Sequence, residues 1–392
     1  MGVLTRILVN ALVVSVAVLA GFYQFYLKSL LLRTGISPAR VIQPLGNEHC
    51  KKIPKLQACE ELILHQPSGL VYFACSTPSS RAHWIPAMEQ FNTTGASFDD
   101  YVATYDPTTS RITRLTTTDF HSERGLSLHG IDVVASTLHS EHLYIYLVNH
   151  RKPLGNVSAY AVGADSVIEI FETAVGSTTM KHVRTVENPV ISTPNSVIGS
   201  PDGKSFYFTN DHGVRVGLVR SLDMLGRRSS SVGYCHIDEG CKIALSNTFT
   251  SNGITAAPNG TIYVANGIGG IVDAFEPQTD NTLALTDSIK TDYILDNLSV
   301  DADGQLWAAA VPKMWSALQH MKSPSKLSPS MALRISINTG PNAFYGEKYK
   351  VSKMFEDDGK IIPLLTSVSY DSERRKLYLG GIAAPHSVVC DL

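Results

Sequence analysis

Six times along this chain the same short pattern returns. One or two polar residues open it, a brief apolar strand follows, then a turn of Gly, Asp, Asn or Ser, then a second strand, usually aromatic. The copies are EELILHQPSGLVYFACS from Glu60, HGIDVVASTLHSEHLYIYLVNH from His129, NSVIGSPDGKSFYFTNDH from Asn195, NGITAAPNGTIYVAN from Asn252, DNLSVDADGQLWAAA from Asp296 and TSVSYDSERRKLYLGG from Thr366. Pro-Ser-Gly, Pro-Asp-Gly, Pro-Asn-Gly and Asp-Gly are hairpin turns, because they supply the positive φ that closes two antiparallel strands. A lone hairpin cannot bury its faces, so repeats roughly 45 to 70 residues apart imply small sheets stacked around an axis. Segments such as SVIEIFETAV and KHVRTVEN, after His150, supply two further strands per repeat. The expectation is an all-β chain folded as a six-bladed β-propeller; a sandwich would give no reason for six similar hairpins.

The remainder of the chain sets the context. A formal net charge of −2 with no long basic run argues against a nucleic-acid partner. Leu8 to Leu27 is an uncharged apolar run, flanked by Arg6, Lys28 and Arg33. It is long enough to cross a ~30 Å hydrocarbon core as a helix. An uncleaved membrane anchor and a cleaved signal peptide both fit, and the length favours the anchor. The expected division is an anchor and linker over 1–40 and a propeller over 41–392. Either reading sends the chain into the secretory pathway, lumenal or extracellular and membrane-anchored, or secreted if cleaved. There sequons at Asn92, Asn156 and Asn259 are glycan acceptors and the six cysteines are disulfide candidates. Cys235 and Cys241 bracket a short loop, and Cys50 and Cys390 sit where a bridge would close a ring. Cys59 and Cys75 are each open to a bridge or to a buried free thiol.

In a propeller the first strand of every blade lines the central channel. The residues that open the copies therefore meet at the axis: Glu60, Glu61, His129, Asn195, Ser196, Asn252, Asp296, Asn297 and Thr366. Carboxylate and carboxamide oxygens at equivalent positions of successive repeats suit a hard cation such as calcium. The set lacks cysteine and has one histidine, which disfavours zinc. His129 and His150, at the start and end of the second copy, come to the same face, where two imidazoles beside a cation suit activation of water for attack on a carbonyl. Asp301-Ala302-Asp303-Gly304 reads as a hairpin turn, not a calcium loop. Asn297-Leu298-Ser299 has the letters of a sequon, yet its place on an inner strand turns it toward the channel.

The segments CEELIL at Cys59, LHGIDVV at Leu128, YLVNH at Tyr146, FTNDH at Phe208, SNGIT at Ser251, LDNLSVDADGQLW at Leu295 and the closing VVCDL resemble the paraoxonase/arylesterase family in order and spacing. The resemblance implies a six-bladed propeller with two calcium ions in its tunnel, hydrolysis of lactones and aryl esters, and a retained hydrophobic N-terminus. It implies that Glu60, Asn195, Asn252, Asp296 and Asn297 hold a catalytic calcium, and that Glu61 and the carbonyl of Ile131 hold a structural one. It also implies a His129–His150 dyad, with Asp296 as an alternative nucleophile or base, and a Cys50–Cys390 disulfide. One departure stands out: Ser196 occupies a position where the family has Asp, which puts the second ion in doubt. Alternative functions are a non-catalytic calcium-binding propeller, a gluconolactonase-like enzyme or a strictosidine-synthase-like relative. Trp84, Met314 and Trp315 are candidates for the wall of an apolar acyl or aryl pocket, and equally for packing or membrane contacts.

Overall fold

The computed structural model describes residues 2–341, 343, 346 and 348–392. Among them six sheets form the blades of a propeller, and each expected hairpin supplies the two innermost, antiparallel strands of one blade. The inner strands are Glu61–His65, Leu128–Ala135, Pro194–Gly199, Ser251–Ala256, Ile294–Val300 and Ser367–Asp371. Blades one, three, four and five continue outward to four strands. Blade two carries a fifth, Thr116–Thr118, which runs parallel to Thr179–Val186. Blade six takes its outermost strand from the far end of the ring: Cys50–Ile53 pairs with Ser387–Asp391, register Cys50 to Cys390.

Burial explains the strand composition. Second strands such as Ser205–Asn210 and Leu306–Val311 are buried at all six positions, because neighbouring blades cover both faces. Outer strands such as Leu283–Lys290 are mostly exposed. Between blades the apolar faces interlock: Tyr146 and Val148 of blade two meet Phe206 and Phe208 of blade three, and Val71 and Phe73 of blade one meet Tyr378 of blade six. The turn at Asp301 is a hairpin turn as expected. Gly304 takes φ +73°, and the Asp301 carboxylate accepts from Asp303 N–H, Gln305 N–H and Trp307 Nε1.

All six cysteines are paired, as Cys50–Cys390, Cys59–Cys75 and Cys235–Cys241. This settles the open choice at Cys59 and Cys75: the former precedes the inner strand of blade one and the latter ends its neighbour.

The connections from second to third strand emerge on the face where the inner strands begin, and those of blades one, three, four, five and six roof the channel. That of blade five carries the helix Met314–Lys322. Preceding the ring, a helical segment runs over Val3–Arg33, continuous through a π-helical stretch at Tyr23–Leu27, with its apolar part unburied; it is long and apolar enough to cross a membrane. Its end is fastened to the roof. Arg33 Nε donates to Ile268 O at 2.9 Å, and Met314 N–H donates to Thr34 O at 3.1 Å.

Candidate functional site

Four inner strands share one irregularity. In each, two residues stand opposite a single residue of the second strand, the geometry of a β-bulge. The bulged pairs are His129-Gly130, Asn195-Ser196, Asn252-Gly253 and Asp296-Asn297, lying between the ladder positions Leu128/Ile131, Pro194/Val197, Ser251/Ile254 and Leu295/Leu298. A bulge breaks strict alternation, which lets adjacent residues turn toward the axis. Glu60 arrives differently. It precedes the inner strand of blade one, its N–H donates to Ala74 O at 3.1 Å, and its carbonyl accepts from Thr366 Oγ1 at 2.7 Å.

The glycines of two bulged pairs are set by close approach. A Cβ on Gly130 would stand 2.6 Å from Asn195 O, and one on Gly253 would stand 2.5 Å from Asn297 Cα. Both distances are below what real Cβ atoms tolerate, so neighbouring blades converge here only because these positions lack a side chain.

At the convergence Glu60, Asn195 and Asn297 are buried, and Asn252 and Asp296 are partly buried. Asn297 Nδ2 donates to Glu60 Oε1 at 2.8 Å. Glu60 Oε2, Asn195 Oδ1, Asn252 Oδ1 and Asn297 Oδ1 are buried with no hydrogen-bond partner. Orphaned buried oxygens are costly, about 1–3 kcal/mol each. Burial, opposed by Asn297 and Arg81, pushes the Glu60 carboxyl up to about 7. Burial and repulsion from Glu60 push Asp296 well above its usual range, opposed by a hydrogen bond from Asn252. Four acceptor oxygens without donors beside two carboxyls that resist ionising together fit a hard divalent cation. The Glu61 carboxylate, by contrast, is met by donors: Ile131 N–H and Ser196 Oγ both donate to it.

His129 and His150 are buried, with ring centres 5.2 Å apart. His129 Nε2 lies 3.3 Å from Asn195 Nδ2 and 3.7 Å from Glu60 Oε1. His150 Nδ1 is 2.8 Å from Ser166 Oγ. Its backbone carbonyl accepts from Trp84 Nε1 at 3.1 Å. His129 Nδ1 and His150 Nε2 have no protein partner. Burial, then His150 and Arg81, holds His129 well below its ordinary value; burial, then Arg81 and Arg220, holds His150 down at about 3. Both rings are therefore neutral at pH 7.

Above the oxygen cluster opens a cavity of about 320 Å³. Glu60, His129, Asn195, Asn252, Asp296 and Thr366 line it with Ile85, Met88, Ile268, Ile294, Val311, Met314, Leu318, Met321, Leu364 and Ile382. Met314 lines it as expected. Trp84 does not: it is buried against Phe91 and Phe98. Trp315 points to solvent, 66% exposed. His150 lies outside this cavity, on a small side pocket shared with Ser166.

Several lining groups escaped sequence reasoning. Arg220 spends its guanidinium on the carbonyls of Pro86, Ala87, Val214 and Arg215, pinning two roof loops together. His212 lines the cavity with Nδ1 held 3.0 Å from the buried Asp223 Oδ2. His212 closes the third copy as His150 closes the second, whereas Arg220 and Asp223 sit in short helical turns, Leu218–Ser221 and Leu222–Leu225, that lie outside the repeat.

Fold and site together define a propeller with an oxygen-donor cluster and a histidine pair under an apolar cavity. A family model described as Arylesterase matches residues 41–392, and the chain belongs to that family. Similar curated proteins are serum paraoxonase/arylesterase 2 of Gallus gallus, 24% identical over 339 residues (85% of this chain, 86% of that protein), and serum paraoxonase/arylesterase 1 of Homo sapiens, 22% identical over 370 residues (89% and 91%). Among solved structures, a luciferin-regenerating enzyme superposes with a TM-score of 0.49 at 14% identity, covering 88% of this chain and 95% of its own.

Proposed function

We propose that this chain is a calcium-dependent hydrolase of lactones and aryl esters, working at the base of the cavity. The observation that carries the reading is the set of four buried, unpartnered oxygens from Glu60, Asn195, Asn252 and Asn297 beside Asp296. The family membership and the relatives' names, paraoxonase, arylesterase and lactonase, support the same chemistry.

Glu60, Asn195, Asn252, Asp296 and Asn297 would hold the ion. When bound, calcium supplies a Lewis acid that polarises the ester carbonyl and stabilises the oxyanion. The aliphatic and thioether wall takes the apolar part of the substrate and excludes water. Arg220, already spent on four carbonyls, imposes no demand for a charged substrate. His129 Nε2, the ring nitrogen beside the ligand cluster, takes the proton from the attacking water. Ser166 holds His150 by Nδ1, and the His150 ring, 5.2 Å from that of His129, keeps His129 oriented; the departing alkoxide takes the proton from His129 as the ester C–O bond breaks. Since His150 does not line the main cavity, it acts through His129.

The apolar Val3–Arg33 helix and the three disulfides support a propeller tethered to a membrane in an oxidising compartment.

Hydrolysis of phenyl acetate and of an acyl lactone, before and after chelation, tests the proposal. Chelation is expected to lower kcat/KM by at least about 100-fold, reversibly with calcium. His129→Gln is expected to cost about 10²- to 10⁴-fold in kcat. Turnover indifferent to calcium removal would sink the reading.

A further inference from the structure

Glu61 stands one residue past Glu60, and its carboxylate meets different company. Oε2 accepts from the Ile131 backbone N–H at 2.8 Å. The Ser196 hydroxyl donates between the two oxygens, 3.0 Å from Oε1 and 3.3 Å from Oε2. Amide and hydroxyl hydrogens thus point where a cation would require lone pairs. The neighbouring Asp132 is engaged as well, accepting from Gly199 N–H and Val133 N–H, each at 2.8 Å. The axial cluster next to it leaves four buried oxygens unpartnered, whereas no oxygen of Glu61, Ser196 or Asp132 is in that condition.

We infer that this propeller holds a single axial cation, and that a protein-only clasp of Glu61, Ile131 and Ser196 stands in place of a second. The clasp joins three consecutive blades, since Glu61 comes from blade one, Ile131 from blade two and Ser196 from blade three. It reaches a fourth through Thr209, whose Oγ1 accepts from Ser196 N–H at 3.2 Å and donates to Asn252 O at 2.5 Å. Its chemical basis is simple. A serine hydroxyl donates where a carboxylate only accepts, and the glutamate side chain spans from blade one to the strands of its neighbours. A charged, cation-seeking cluster thereby becomes a closed hydrogen-bond network that ties the inner strands without metal.

The inference rests on the cation reading above, and one experiment separates the two. Native mass spectrometry and calorimetric calcium titration are applied to the full chain in detergent after chelator removal. One calcium per chain is expected, lost in Asp296→Asn and retained in Ser196→Ala and in Glu61→Gln. Two ions per wild-type chain would overturn the clasp while leaving the cation reading intact. An ion lost in both Ser196→Ala and Glu61→Gln but kept in Asp296→Asn would put it at the clasp, again overturning the inference. No binding at millimolar calcium would overturn the cation reading itself. Ser196→Ala, which removes one hydroxyl, serves where Glu61→Gln fails to fold.

Discussion

Glu60 and Asp296 at the axis and the buried imidazoles of His129 and His150 beside them give, through their protons, opposite signs to stability. Without a cation, folded Glu60 titrates near 7 against an ordinary 4.5. Between those values the folded chain holds a proton that the unfolded chain has released, so this group's contribution falls as pH rises through the window. Asp296 shifts in the same direction. His150, held at about 3 against an ordinary 6.5, does the reverse: the unfolded chain binds the extra proton, and stability rises with pH over that interval. Comparing loaded with chelated protein isolates the carboxyls, because binding the ion must expel their protons. The stabilisation on adding calcium, read as a rise in Tm, is expected to be small near pH 5.5 and to grow as pH rises through about 7, its free energy increasing by up to about 1.4 kcal/mol per pH unit for each proton expelled. Thermal melts at several pH values check this, and a pH-independent gain would count against Glu60 as a ligand.

At the scale of the element, the bulge is the device that makes the site. Straight inner strands would alternate, sending one residue of each adjacent pair away from the channel. Two residues against one re-aims the pair, and glycine at 130 and 253 lets adjacent blades close over it. Gly253→Ala is expected to force blades four and five apart beside Asn297, lowering stability by about 1–3 kcal/mol. Calcium affinity should fall by roughly tenfold or more, since each 1.4 kcal/mol is tenfold. Denaturant unfolding and calcium titration measure the two effects, and unchanged affinity would mean that the bulge does not set the ligand geometry. The repeat was legible in the sequence because a turn and its flanking strands are local, and the polar residues opening each copy stand out against apolar strands. The bulges were not legible, because register exists only relative to a partner strand. The fate of Ser196 was half legible: its identity marks a departure, but that its hydroxyl reaches Glu61 depends on how blades one and three meet. The pairing of Cys59 with Cys75 and the burial of Trp84 likewise depend on distances that no spacing reveals.

The whole molecule is a ring closed by one strand and one disulfide. Cys50–Ile53 adds four ladder positions to Ser387–Asp391, and Cys50–Cys390 locks the first of them across 340 residues. Replacing both cysteines with serine is expected to lower unfolding stability by about 2–5 kcal/mol, with the four-residue ladder still closing the ring. Equilibrium unfolding against wild type is the check, and coincident curves would show that the ladder alone suffices.

That closure also dictates an order of events during synthesis. The strand made first must wait for the strand made last, which at ordinary elongation rates of ~5–20 residues per second is roughly 20 to 70 s. Throughout that interval the outer strand of blade six, Cys50–Ile53, has no partner, and its edges stay open to any passing strand. With the Val3–Arg33 helix in a membrane, as proposed above, that waiting strand would stay close to the bilayer surface until its partner is made.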